Sequence, residues 1–154
     1  MKKYVIEDIY SDGYERFAIV EKMGKNERIN VHFLECDEYM ENDEESRKRR
    51  KGDIIEGDIS IELVAFSHKV AEPVSHFQNI YNSPHIEAVI EVVQIIDEYS
   101  IYARSSISDD NILIEFENAI SYEVGERVFV TGSLEMRETS LMLDIVMNNN
   151  CSNS

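Results

Sequence analysis

The groups in this chain that could do chemistry are four histidines, two cysteines and 31 carboxylates. Their spacing assembles none of the usual catalytic or metal-binding patterns. His68 and His76 lie in an irregular stretch with Glu72 between them, and His85 follows Pro84, so a shared metal site is geometrically open to them. They form neither a His-Glu-x-x-His pair nor part of a paired-cysteine zinc pattern, and surface histidines explain them equally well. Cys36 carries no local nucleophile signature, and no Gly-x-Ser-x-Gly elbow occurs. Glu87 with Glu91, and Glu115 with Glu117, have the spacing of carboxylate pairs, but the same spacing places each pair on the solvated face of a strand. Gly52 to Gly57 is not followed by Lys and Ser/Thr, so it is no phosphate loop. The expectation is a protein that is not an enzyme and that holds neither cofactor nor metal.

Charge says more than the catalytic inventory. The chain of 154 residues carries a net charge of −16, and the excess is uneven. Residues 1–70 hold 12 basic against 17 acidic side chains; residues 71–154 hold 3 against 14. Lys69 is the last lysine, and only Arg104, Arg127 and Arg137 follow it. Nucleic-acid binding draws on cations that neutralise phosphates, so this field repels DNA, RNA and anionic membranes while attracting basic proteins. Solubility is the competing explanation of the same acidity. One basic run, Arg47-Lys48-Arg49-Arg50-Lys51, offers a nucleic-acid contact, yet the acids just before it, from Asp37 to Glu45, can neutralise it locally. The apolar core that a secretory signal needs is interrupted by Glu7 and Asp8, and no stretch approaches the roughly 18 apolar residues of a membrane span. With only two cysteines, Cys36 and Cys151, a disulfide framework is not expected and the expected compartment is the cytoplasm.

The elements that must position these groups read as strands throughout. Tyr4–Tyr10 turns through Ser11-Asp12-Gly13 into Phe17–Val20, and Met23-Gly24-Lys25-Asn26 turns into Arg28–Leu34, a meander. Residues 37–51 are a charged insert. Strand character returns from Gly52 to Val64, with Ile59, Ile61 and Leu63 assigned to one face and Ser60 and Glu62 to the other. Residues 73–84, marked by Pro73 and Pro84, form a connection with room for a helical turn between Val74 and Tyr81. Next comes the longest strand, 85–96, where Ile86, Ala88, Ile90 and Val92 alternate with Glu87, Val89, Glu91 and Val93. Strands at 99–104, 112–117, 127–131 and 141–146 follow, then an Asn/Ser-rich disordered tail, 148–154.

A strand-and-glycine pattern occurs twice, in 28–63 and again in 111–136, which implies two related β units, 1–72 and 85–147. The long strand 85–96, the meander through 117 and the phrase Val124-Gly125-Glu126-Arg127-Val128-Phe129-Val130-Thr131-Gly132 resemble an oligonucleotide/oligosaccharide-binding (OB) fold, a five-stranded Greek-key barrel. Residues 4–64 look like a weaker repeat of it. The expected fold class is therefore all-β, with two OB-like antiparallel barrel or meander units packed together. The resemblance implies ligand stacking on exposed rings, for which Tyr99, Tyr102, Phe116 and Phe129 are candidates beside Arg104 and Arg127, although Phe116 is in register with Ile112 and Ile114 as core.

Two functions follow as expectations. The first is a non-enzymatic acidic protein that binds a basic protein partner, such as an immunity or inhibitor protein that neutralises a basic nuclease toxin. It would use Glu87, Glu91, Glu115 and Glu117 for charge and Tyr102 and Phe129 as anchors. The alternative is a nucleic-acid- or oligosaccharide-binding module relying on Arg47, Lys48, Arg49, Arg50, Lys51 and Arg104.

Overall fold

A computed structural model describes residues 2–12, 15–24, 27–34, 50–80 and 82–138. Nine strands and no helix occur among the described residues: β1 (Lys2–Asp12), β2 (Glu15–Lys22), β3 (Arg28–Leu34), β4 (Ile54–Val70), β5 (Ser75–Phe77), β6 (His85–Asp97), β7 (Ser100–Arg104), β8 (Ile112–Phe116) and β9 (Arg127–Glu138). They form one hydrogen-bonded sheet in the order β1-β2-β3-β9-β4-β8-β7-β6-β5, and further pairings of β1 with β4 and of β6 with β9 close the bonding into rings. Two compact units result. Among the described residues, one takes the chain up to Asp58 and again 136–138, and the other takes Ile59–Glu135, so β4 and β9 each contribute residues to both.

In the first unit, alternation works as the strand period demands. Tyr4 and Ile6 of β1, Ala18 and Val20 of β2, and Ile29, Val31 and Phe33 of β3 are buried on one side. Opposed residues share a face across an antiparallel pair. Tyr10 therefore meets Phe17 in a ring stack with centroids 5.1 Å apart, and Phe17 in turn meets His32 at 5.0 Å. These rings pack on the meander.

The second unit is built on β6. Ile86, Ala88, Ile90 and Val92 point into a core completed by Ile101 and Ala103 of β7, Ile112, Ile114 and Phe116 of β8, and Val128, Val130 and Leu134 of β9. Each fully buried aliphatic side chain of this size stabilises the fold by about 1.5–3 kcal/mol. The sequence places Leu63 with Ile59 and Ile61, and here the structure differs. Ile59 and Ile61 are buried, but Leu63 is 64% exposed and Val64 takes its place in the core. Between Ile61 and Val64 the parallel pairing of β4 with β8 slips, and Leu63 sits at φ 58°, in the left-handed region. An inserted residue of this kind flips every later side chain to the opposite face. Beside the slip, β9 approaches so closely that a Cβ on Gly132 would stand 2.6 Å from the Glu62 carbonyl oxygen. Only glycine fits there without displacing backbone.

Two further expectations change. The stretch allowed a helical turn between 74 and 81 instead forms the short strand β5, and the strand expected at 127–131 runs on to Glu138. The expected strand 141–146, the tail 148–154 and most of the charged insert 37–51 lie outside the described residues.

Candidate functional site

β6 falls into two halves that present different chemistry. Its proximal half, from His85 to Glu91, pairs antiparallel with β9, placing Val89 opposite Phe129 and Glu91 opposite Arg127. On the other flank β7 places Arg104 opposite Glu91. The Glu91 carboxylate thus accepts a hydrogen bond from Arg104 Nη2 at 3.2 Å and lies 3.5 Å from Arg127 Nε. The Arg104 hydrogen bond above all, with its charge and with Arg127, holds the Glu91 carboxyl below the usual carboxylate range. Arg127 also donates to the Glu72 carbonyl at 3.2 Å. Two of the three arginines in the latter part of the chain are thereby engaged by one glutamate.

The same face continues into an aromatic group. Phe129 lies 5.3 Å from the His68 ring and 6.2 Å from Phe66, and Phe66 meets His68 edge-on at 5.4 Å. Phe66 is 55% exposed. Glu87 stands opposite both Phe77 of β5 and Thr131 of β9. Beside the rings, Lys69 Nζ donates to Glu126 Oε2 at 2.6 Å, while the Glu123 amide donates to Glu126 Oε1 at 2.8 Å. The Lys69 hydrogen bond is the main reason the Glu126 carboxyl is held low, and the Glu126 bond in turn raises Lys69.

Beyond Val92 the strand changes character. All five residues of Val93–Asp97 are exposed, three of them aliphatic. The register with β7 slips twice, between Val92 and Gln94 and between Ile95 and Asp97, leaving Val93 and Ile96 without opposite numbers. Bulges of this type re-aim side chains, and here Val93 and Ile96 reach solvent, Ile96 with 44% of its surface. Tyr99 at the hairpin turn and Tyr102, opposite Gln94, are exposed as well. The turn 123–126 comes alongside through two backbone bonds, Val92 amide to Glu126 carbonyl (2.9 Å) and Gly125 amide to Val92 carbonyl (2.8 Å). Gly125 permits that turn with φ 91°, and Val124 next to it is 65% exposed.

Carboxylates surround this apolar end. Asp97 and Glu98 occupy the hairpin turn, where Asp97 Oδ1 accepts the Tyr99 amide at 2.8 Å. Glu115 stands opposite Ser100, and Glu117 follows Phe116, whose amide bonds the Tyr99 carbonyl. No lysine or arginine occurs anywhere from residue 70 to 103 or from 105 to 126.

Of the site residues read from sequence, Glu87, Glu91, Phe129 and Arg104 therefore share the proximal face, while Tyr102, Glu115 and Glu117 belong to the distal end. Arg50 and Lys51 are exposed, with the Arg50 amide bonded to Asp53 Oδ2 at 2.8 Å; Arg47, Lys48 and Arg49 lie outside the described residues. His68 packs against rings, and His76 Nδ1 lies 2.6 Å from Ser106 Oγ. Among the described residues, no three His, Cys, Asp or Glu side chains are grouped so as to hold a metal ion. Val93, Ile95, Ile96, Val124 and Phe66 had not been singled out as surface residues. One signal was present in the sequence, because Val92-Val93-Gln94-Ile95-Ile96 puts apolar residues at both parities and cannot bury them all on one face.

No helix among the described residues is long and apolar enough to cross a membrane. Comparison with known proteins finds no family model, curated protein or solved structure that matches the chain.

Proposed function

We propose that this chain is a non-enzymatic, acidic protein-binding protein whose partner is basic, and that the contact surface is the distal end of β6 with the adjoining turn. A concrete form of this reading is an immunity or inhibitor protein that covers the cationic active site of a nuclease toxin. The observation that carries it is the group of exposed apolar residues at and beside the distal end of β6, Val93, Ile95, Ile96, Tyr99, Tyr102 and Val124, accompanied by the acidic Asp97, Glu98, Glu117 and Glu123, while Lys69, which reaches the adjoining turn, is already bound to Glu126. Protein interfaces combine desolvated apolar or aromatic anchors with a charged rim, and a rim of one sign steers a partner of the other. The proximal arginines are both held by Glu91, which offsets one of their two charges.

The scaffold we assign is OB-like. Supporting it are the two five-strand rings, β1-β2-β3-β9-β4 and β9-β4-β8-β7-β6, which share β4 and β9.

Titration with a panel of purified basic nucleases tests the function. A complex that forms at low salt and weakens as salt is raised is the expected result. Absence of binding to every one of them at low salt would overturn the nuclease-inhibitor form. The exposed Phe66 and His68, grouped with the half-buried Phe129, favour a second reading, stacking of an oligonucleotide or oligosaccharide. Single-stranded DNA or RNA binding tighter than high-micromolar at low salt would promote that reading over the first.

A further inference from the structure

We infer that the partner engages this surface by strand addition, laying an extended basic segment along the open edge of Val93–Asp97. The inference rests on the protein-binding reading above and specifies its mode. On one flank β7 accompanies β6 as far as Asp97. On the other, the ladder with β9 ends at Glu91–Arg127, and the two Val92 bonds to the turn are its last rungs. Past Val92, no described strand pairs with that flank. The main-chain groups of the edge that face this flank thus have no described strand beside them.

Soluble proteins commonly blunt such an edge with lysine, proline or a covering segment. Val93-Gln94-Ile95-Ile96-Asp97 has neither lysine nor proline. Its two bulges shorten the regular run, but they turn aliphatic side chains outward, which suits contact better than avoidance. The terminal strand β5 is three residues long and offers fewer main-chain bonds.

Charge identifies the occupant. The edge is flanked by Asp97, Glu98 and Glu123 and has no lysine or arginine of its own. A second copy of this chain would bring another charge of −16 to the contact, and like charges brought together oppose it. A segment in which lysine or arginine alternates with apolar residues fits both features, because alternate side chains of an added strand fall on opposite faces. One set meets the carboxylates while the other covers Val93, Ile96 and Val124.

The probe is a short capped peptide of alternating Lys and Val, compared with the same peptide N-methylated at alternate residues. N-methylation removes the main-chain donors and keeps the side chains. Binding to the full chain is followed by NMR with amide hydrogen exchange. Strand addition predicts that the unmodified peptide slows exchange within 93–97 by about tenfold or more, and that the N-methylated peptide binds about tenfold more weakly. Ile95→Pro, checked for folding by its spectrum, should weaken the unmodified peptide similarly; the N-methylated peptide gives the same information on the unaltered chain. Equal affinity of the two peptides overturns strand addition, as does protection at another site or no binding of the unmodified peptide. Those outcomes leave the protein-binding reading to the nuclease titration. Protection of 93–97 that grows with protein concentration alone, with a doubled mass in sedimentation, assigns the edge to a second copy and overturns the basic partner.

Discussion

The two halves of β6 have nearly the same composition and opposite fates. His85–Val92 is flanked by strand or turn on both sides, buries Ile86, Ala88, Val89, Ile90 and Val92, and has its outward Glu91 bound by two arginines. Val93–Asp97 is flanked on one side, buries none of its residues and lies among carboxylates. Hydrophobicity alone does not separate them, since Ile90 and Ile96 are the same residue type. What separates them is where β9 begins. With Arg127 as its first residue, the β9 ladder reaches Glu91 and stops, so neighbours cover the strand before that point and not after it. The proximal half is where an apolar residue holds the fold, and the distal half is where one is left for contact.

The contrast is broken most directly by shortening an isoleucine in each half. Ile90 is fully buried, so Ile90→Ala removes core atoms and leaves a cavity. Urea unfolding should show a loss of about 3 kcal/mol. Per folded molecule, partner affinity should stay unchanged. A loss under 1 kcal/mol would mean that this half is no more essential to folding than the other.

Ile96→Asp applies the reciprocal test. Its side chain contributes little to the core, so the unfolding midpoint should move within the scatter of surface substitutions, about 0.5 kcal/mol. Affinity for a basic partner, measured calorimetrically, should fall by about 30-fold through loss of an anchor, despite the added negative charge. Because that charge increases attraction to a cationic protein, tighter binding would show that electrostatics alone drives the contact and that the apolar end is incidental.

How much of this was legible in the sequence follows from which properties are local. The inner face of β6 and the core role of Phe116 could be read from period-two alternation. The same rule failed at Leu63, because a slip in register depends on how β4 meets β8 and on the close passage of Gly132, neither of which is a property of residues 59–64. Partners of charges were equally hidden. Glu91 looks like any outward carboxylate until the registers of two ladders bring Arg104 and Arg127 to it. The distal end was half visible, as a breakdown of alternation without an indication of its cause. Leu63 provides a measurable check on this reasoning. Its exposed side chain gains little from burial, while the left-handed backbone disfavours a branched aliphatic residue and tolerates asparagine. Leu63→Asn should therefore stabilise the protein by about 0.5–1 kcal/mol in urea unfolding. A loss of stability instead would indicate that Leu63 is bound by contacts its exposure does not suggest.

The smallest effect expected is the most specific to the proximal half. Arg104 and Arg127 lower the Glu91 carboxyl below its ordinary range in the folded chain. A group so lowered contributes stability that is fully present above its unfolded value, about 4.3 for glutamate, and is lost as pH falls through the lower folded value. Glu91→Gln keeps the size of the side chain and removes the charge. Its melting temperature should therefore lie slightly below that of the parent at pH 7, and the gap should close as the pH is lowered past the folded value. High salt should narrow the gap at pH 7, because all three side chains are reached by solvent. Partner affinity should hardly respond, since a carboxylate already shared by two guanidinium groups has little attraction left for a third cation. If Glu91→Gln weakened binding as much as Ile96→Asp, the division of β6 at Val92 would fail, and the proximal face would have to be counted as part of the contact.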